Sequence, residues 1–268
     1  MPGTPFALLT CPLCGQSLTP RGGALQCATT HSFDVARQGY VNLLPGGAHT
    51  GTADTAEMVR ARADFLAAGH YAPLADAVAE AAKALAPDVV LDAGTGTGYY
   101  LAAVLDALPS AIGLGLDLSK YALRRAARAH PRAAAAVWDV WQPLPVRSAA
   151  ADLVLNVFAP RNAPEFARVL RPDGALLVVT PAPDHLAELR EQAGLLEVDA
   201  AKEERLDRTL SGHFRPEHTE TLRYPLTLTA TEATDAAAMG PSAHHAPRRI
   251  EGEQRVTASF RVSVYRRG

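Results

Sequence analysis

Residues 11–31 read CPLCGQSLTPRGGALQCATTH and hold every cysteine of the chain. Cys11 and Cys14 form a C-x-x-C pair, and Cys27 and His31 follow as a second pair beyond a turn-rich segment. Thiolates and an imidazole arranged in two spaced pairs suit tetrahedral zinc with a Cys3His donor set. Four protein donors close the coordination sphere, so the metal expected here is structural, with no position open to a substrate. Pro12, Gly15, Gly22 and Gly23 are turn formers around the four donors. An odd number of cysteines argues against a secreted disulfide framework.

A second group of chemically capable residues lies in VLDAGTGTGYY, which places Asp92, Gly94, Gly96 and Gly98 after a short apolar run. Glycines let the backbone turn tightly and approach a ligand, and the helix that follows offers unpaired N–H groups. Gly-x-Gly alone does not discriminate, because dinucleotide enzymes share it. Two further acids sharpen the pattern. Asp117 ends the next apolar run, where a carboxylate can accept two hydrogen bonds from ribose hydroxyls. Asp139, in AVWDVWQPLP, ends the run after that, within reach of an adenine amino group. A pyrophosphate would be repelled by an acid before the loop, whereas a sulfonium and an ammonium tolerate Asp92. In this combination the chain resembles the class I S-adenosylmethionine (AdoMet) methyltransferases.

The elements that must position these residues can be read from the hydrophobic periodicity. Five short apolar runs, at DVVLDAG, AIGLGLD, AAAVWD, ADLVLNVF and GALLVVTP, alternate with helical segments. That alternation predicts a parallel sheet with helices on both faces. ETLRYPLTLTA and RVTASFRVSVYRR read as two long strands around one helix, TEATDAAAM, and an antiparallel pair finishing the sheet fits them. Upstream, Asp54 and Glu57 have capping-box spacing ahead of MVRARADFLAAGH, and a second helix is expected from Pro73. The expected organisation is a zinc-binding module over residues 1–44, a linker or lid and helix over 45–70, and a catalytic domain over 71–268.

Composition bounds the partners. The chain has 268 residues and a formal net charge of −2, so any contact with nucleic acid must rest on local basic patches. No run of 18 apolar residues predicts a membrane span, and the N-terminus lacks the pattern of a signal peptide. A cytoplasmic protein without a membrane partner is expected. Arg124, Arg125, Arg128 and Arg132 recur at helical spacing and read as a solvated helix face. Arg21, Arg37, Arg60 and Arg62 lie nearer the zinc module and lid, where they would matter more to an RNA.

The order of these parts is specific. A Cys3His ribbon, FDVARQGYVNLL, AEMVRARADFLAAGHYAPL and the AdoMet loop together closely resemble the 23S rRNA (guanine-N1)-methyltransferases of the RlmA/RrmA type. LNVFAPRNAPEFARVLRPDGALLVVTPAPDHLAEL and the late MGPSA are most similar to the branch with the tylosin-resistance enzymes. The resemblance implies a Rossmann-like fold with a mostly parallel seven-stranded sheet and an N-terminal zinc ribbon. It implies AdoMet and structural zinc as cofactors, a hairpin of 23S rRNA near the macrolide site as substrate, macrolide resistance as a consequence, and a homodimer. It also implies that Tyr71, Gly98, Tyr99 and His185 contact the cofactor. The sequence departs from the family where MGPSAHHAP carries His244 in place of an expected aromatic.

The reaction itself asks for less than a full catalytic set. Guanine N1 carries a proton that must leave as the nitrogen attacks, and alignment can supply much of the acceleration. At the end of the fourth apolar run, NVFAPRN is not the Asn-Pro-Pro-aromatic signature of methylases acting on exocyclic amines, which agrees with a ring-nitrogen target. Asn156 is the candidate base-positioning group there, and a hydrogen-bonded strand end is its structural alternative. Two rival functions stand beside this one. A small-molecule methyltransferase on the same scaffold would fit the acidic net charge. A non-catalytic zinc-ribbon RNA binder would need a degenerate cofactor loop, which Asp92–Gly98 and Asp117 oppose.

Overall fold

The computed structural model of the chain describes residues 4–47, 51, 53–189, 208–240 and 250–268. His244, His245 and residues 241–243 of the MGPSA segment lie outside the described residues. Near the N-terminus, β1 (Thr19–Arg21), β2 (Ala24–Gln26) and β3 (Ser32–Asp34) form a small antiparallel sheet. β4 (Tyr40–Asn42) leaves that sheet and pairs in parallel with a strand of the large one.

Two helices come next, α1 (Ala56–Ala67) and α2 (Ala72–Leu85). The N-cap of α1 is Thr55, whose hydroxyl accepts from Met58 N–H at 3.2 Å. The cap therefore falls one residue after Asp54, with Met58 and not Glu57 at the third helical position, so the capping box expected from Asp54 and Glu57 does not form. Asp54 and Thr55 are both competent caps, and Asp54 is occupied elsewhere, in an ion pair with Arg62.

The alternating segments build β5 (Val89–Ala93), α3 (Tyr99–Ala107), β6 (Ile112–Asp117), α4 (Lys120–Ala126), β7 (Ala133–Val137), β8 (Ala151–Val157), α5 (Ala163–Val169) and β9 (Leu170–Pro181). β10 (Phe214–Leu228), α6 (Ala230–Ala238) and β11 (Gln254–Arg267) complete the described elements. The strand order is β10-β11-β9-β8-β5-β6-β7-β4, parallel from β9 to β4 and antiparallel at β10 and β11. β10 is an edge strand, which is why it accommodates Pro216 and Pro225.

The sheet has seven strands of the expected type and an eighth, β4, from the segment following the zinc ligands. β4 is only three residues long, too short for a period to show. Its pairing with β7 ties the N-terminal segment to the large sheet. Two more seams reinforce that join: Thr10 N–H donates to the Pro145 carbonyl at 2.8 Å, and Arg147 N–H donates to the Leu8 carbonyl at 3.0 Å. Leu9, Leu18, Leu25 and Val41 are buried in the same apolar cluster as Leu114, Leu116, Ala136 and Val146. About forty residues would not build an adequate core alone, and here they share one.

The second core lies on the opposite face of the sheet, where α1, α2, α3 and α6 cover it. Arg132, expected on a solvated helix face, instead donates to the carbonyls of Leu105, Leu108 and Ala111 and caps the end of α3. Among the described residues, no helix is long and apolar enough to cross a membrane.

Candidate functional site

The zinc donors converge. Cys11 Sγ lies 3.4 Å from His31 Nδ1, Cys27 Sγ lies 3.5 Å from the same nitrogen, and Cys14 Sγ lies 3.6 Å from Cys27 Sγ. A tetrahedral zinc with bonds of about 2.3 Å to sulfur needs sulfur–sulfur edges of about 3.8 Å. All four donor atoms fall within 4.8 Å of one another, so the set fits one ion. The local backbone explains the convergence. Gly15 N–H returns to the Cys11 carbonyl at 2.8 Å, with Gly15 at a φ of 71°. Thr30 N–H returns to the Cys27 carbonyl at 3.0 Å, and Cys27 N–H to the His31 carbonyl at 3.1 Å. Cys11 and Cys27 are buried.

The glycine loop begins where β5 ends. Gly94 and Thr95 N–H groups both donate to the Leu116 carbonyl, at 2.8 and 2.9 Å, so the loop folds back over β6. Gly94 has a φ of 91°, and a Cβ there would stand 2.2 Å from Ala159 Cβ. Gly98 caps α3 with a φ of 80°, and its Cβ would stand 2.9 Å from Ala126 Cα. Only glycine satisfies both positions. Asp117 Oδ2 accepts from Gly96 N–H and Oδ1 from Ser119 N–H, each at 2.8 Å. Both bonds aim the carboxylate across the loop mouth.

Asp92 is buried, and its Oδ1 has no hydrogen-bond partner; the Thr95 hydroxyl is likewise buried and unpaired. Burial pushes the Asp92 carboxyl up to about 7; the nearby Thr95 side chain opposes the rise and the neighbouring Asp117 adds to it. Burial also raises Asp117, while the Ser119 and Gly96 N–H groups oppose the rise. Buried orphan acceptors of this kind are satisfied by a ligand that brings donors or positive charge. The acceptor set fits the ammonium, sulfonium and ribose of AdoMet.

Aromatic residues gather after the glycine loop and beside it. Tyr71 is buried, and its hydroxyl lies 3.1 Å from His185 Nε2. Ser259 N–H donates to His185 Nδ1 at 3.2 Å, which leaves the proton of a neutral imidazole on Nε2. Phe260 stands at the centre, with ring centroids 4.6 Å from His185, 5.0 Å from Tyr71 and 5.7 Å from Phe158. Tyr99 stacks edge-on against Tyr100, and Tyr100 against Phe158. Phe158 is 42% exposed at a φ of 54°, a conformation costly for a bulky side chain.

Asn156 is fully buried beneath this loop. Its Nδ2 donates to the Ala93 carbonyl at 3.0 Å and to the Pro160 carbonyl at 2.8 Å. Both amide protons are therefore spent on main chain. Asp139 follows β7, and Trp138 N–H just before it donates to the Asp117 carbonyl at 2.9 Å. Asp139 Oδ1 accepts from Trp141 N–H at 3.0 Å, and Asp139 lines a cleft of about 950 Å³ together with Cys11, Pro12, Gly15 and Trp138.

The comparisons decide the family. The chain is 54% identical to the 23S rRNA (guanine(748)-N(1))-methyltransferase of Streptomyces fradiae, over 88% of this chain and 86% of that protein. It is 53% identical to a Micromonospora griseorubida protein assigned as a 23S rRNA (guanine-N1)-methyltransferase, over 96% of this chain and 97% of that one. The chain belongs to the 23S rRNA (guanine-N1)-methyltransferase family. Residues 9–49 of this methyltransferase match the zinc-ribbon family described as RlmA, N-terminal, and residues 90–174 match a methyltransferase domain. Its fold is like that of a chain in the complex between the Haloferax volcanii Trm112 methyltransferase activator and a methyltransferase. That match has a TM-score of 0.51 at 20% identity and covers 80% of this chain and 98% of the other. The methyltransferase uses AdoMet as its cofactor, and its Cys3His cluster is a structural zinc site.

Several residues of the methyltransferase's site escaped sequence reasoning. Thr29 Oγ1 lies 3.0 Å from both Cys14 Sγ and Cys27 Sγ, where it can donate to a thiolate. A polar residue two positions after Cys27 is the only signal the sequence offers for it. Tyr100 and Phe260 join the aromatic group from α3 and β11, Arg62 approaches Gly96 from α1, and no spacing links them. Arg62 was expected to lie near the zinc module and lid; in α1 its guanidinium lies against Gly96.

Proposed function

We propose that this chain transfers the methyl group of AdoMet to N1 of a guanine in a hairpin of 23S rRNA, near the macrolide site. The observation that carries the reading is the Cys3His knuckle sharing one core with the sheet whose β5 end holds the orphaned Asp92 carboxyl. AdoMet supplies an electrophilic methyl group on a sulfonium. Asp117 is placed to hold the ribose, Asp139 the adenine amino group, and Asp92 the positive end. Gly94, Gly96 and Gly98 leave room for the backbone to approach, while Tyr71, Tyr99 and His185 form the aromatic wall. Water is thereby kept from the reacting end.

Asn156 acts on the substrate through the backbone. Its two bonds hold the loop Phe158–Pro160 against Ala93, so it is a positioning residue and not a group that touches the base. Asn156→Ala takes this donor from the buried Ala93 carbonyl and from the less buried Pro160 carbonyl, which is expected to cost about 1–3 kcal/mol. Urea denaturation checks this, and an unchanged midpoint would contradict the assignment.

AdoMet binding should depend on pH through Asp92. The cationic ligand favours the ionised carboxylate, so affinity is full above about 7 and falls as pH drops below it. Each pH unit below that value should weaken binding by about tenfold. Titration calorimetry over a pH series tests this, and Asp92→Asn should flatten the profile.

The zinc-bearing residues 1–44 serve as the RNA-selecting jaw. α4 supplies a second surface: Lys120, Arg124, Arg125 and Arg128 are exposed and form no ion pair among the described residues. Residues 118–138 contain no acid. The double variant Arg124→Gln, Arg128→Gln should raise KM for rRNA and reduce the slope of log affinity against log salt by about 1–2. AdoMet affinity should not change.

The reading as a whole is tested by primer extension on treated 23S rRNA, because N1 methylation blocks pairing and stops the polymerase. A stop at one hairpin guanine is the expected result; methyl transfer to a macrolide and not to RNA would replace this reading with the small-molecule one. The same proposal includes a homodimer, measurable by light scattering, a cytoplasmic location, and reduced macrolide susceptibility in a host that expresses the enzyme.

A further inference from the structure

The cofactor cleft has an uneven charge inventory. Asp92 and Asp117 stand at the strand ends, and Asp54 enters from the segment before α1. Ser119 Oγ fixes that segment by donating to the Asp54 carbonyl at 2.7 Å. Against these three carboxyl groups stands, among the described residues, the guanidinium of Arg62. It pairs with Asp54, and its Nη2 donates to the Met239 carbonyl at 2.6 Å. Arg62 also borders the glycine loop. A Cβ added to Gly96 would stand 3.6 Å from Arg62 Nη1 and meet nothing else within 4 Å. The guanidinium also works to lower Asp117 and Tyr100, groups on either side of the loop.

AdoMet carries the complementary pattern: two positive groups, the sulfonium and the α-ammonium, and one carboxylate. We propose that Arg62 binds the carboxylate of the AdoMet methionine chain. A guanidinium has five N–H donors in a planar fork that matches a carboxylate. Asp54 and Met239 each take one donor, so Arg62 can accept a second carboxylate while keeping its place under the α1–α6 roof. The Asp54 pair holds the side chain in position before the ligand arrives, which lowers the entropy lost on binding. An arginine held only by α1 would have to be ordered by the ligand itself.

The inference rests on AdoMet as the cofactor and is independent of which base is methylated; its test uses no RNA. Titration calorimetry on the full chain would compare AdoMet, S-adenosylhomocysteine and decarboxylated AdoMet. Arg62→Gln should weaken AdoMet and S-adenosylhomocysteine by roughly 10- to 100-fold, as loss of a hydrogen bond to a charged group predicts. The same variant should leave decarboxylated AdoMet within about twofold, since that ligand lacks the group Arg62 holds. Arg62→Lys should recover part of the loss. Asp54→Asn breaks the ion pair without removing the cation, and it should preserve the preference for carboxylate-bearing ligands. Equal weakening of all three ligands by Arg62→Gln would make Arg62 a support of the roof and overturn the proposal, as would no weakening at all. Circular dichroism of each variant separates either result from misfolding.

Discussion

Replacing Gly94 with alanine is expected to eliminate measurable AdoMet binding. The new Cβ would stand 2.2 Å from Ala159 Cβ and 3.5 Å from Ala159 Cα, at a φ of 91°. The backbone conformation alone costs an L-residue about 1–2 kcal/mol, and overpacking adds about 1–3 kcal/mol. Relief of the clash is blocked on both sides. The Gly94 side is pinned by two N–H bonds to Leu116, and the Ala159 side by Asn156 and by Phe158 N–H on the Val179 carbonyl at 3.1 Å. Whichever side yields, a wall of the cofactor site moves. Calorimetry should show affinity reduced by at least about 100-fold, with a denaturation midpoint shifted downward. Ala159→Gly removes the opposing methyl, so the double variant should recover the steric part and retain the backbone cost. A Gly94→Ala protein that binds AdoMet normally would contradict the packing described here. So would a double variant no better than the single one.

The sequence made the glycine loop and the zinc donors legible because both are local. Their chemistry is fixed by residue types a few positions apart, and turn-forming residues mark the backbone between them. The parallel strands were legible for a related reason: a strand buried on both faces must be a short apolar run. What stayed hidden depends on distant partners. β4 exists because Tyr40–Asn42 finds Ala135–Val137 at the sheet edge. Asp54 resembles a cap by spacing, yet Thr55 caps and Asp54 meets Arg62. Arg132 falls at helical spacing with three exposed arginines, yet it is turned to three carbonyls by the end of α3. Phe260 is one aromatic residue in a long strand by sequence; its register opposite Pro181 is what sets it among Tyr71, His185 and Phe158.

Removing the zinc should separate the two halves of the enzyme's task. Cys11 and Cys27 are buried in the core that also holds Leu114, Leu116, Ala136 and Trp138. Three thiols and an imidazole within 4.8 Å of one another have no reason to stay converged without the ion. In isolated zinc modules the metal contributes apparent energies of about 10–16 kcal/mol, so the knuckle around Cys11–His31 should unfold with its loss. β4 and the seam between Leu8–Thr10 and Pro145–Arg147 would loosen with it. The glycine loop is anchored differently, by Leu116, Ala159 and Ala126, none of which belongs to the zinc-binding segment. Cys27→Ser, or treatment with a chelator, should therefore reduce methyl transfer to 23S rRNA by at least about 100-fold while AdoMet affinity changes by less than about tenfold. Metal analysis should find one zinc per chain before treatment and a loss in step with activity. Unchanged methyl transfer after complete zinc removal would rule out the jaw. If AdoMet binding were lost at the same zinc occupancy as rRNA methylation, the ion would instead be holding the whole sheet together, through β4 and β7.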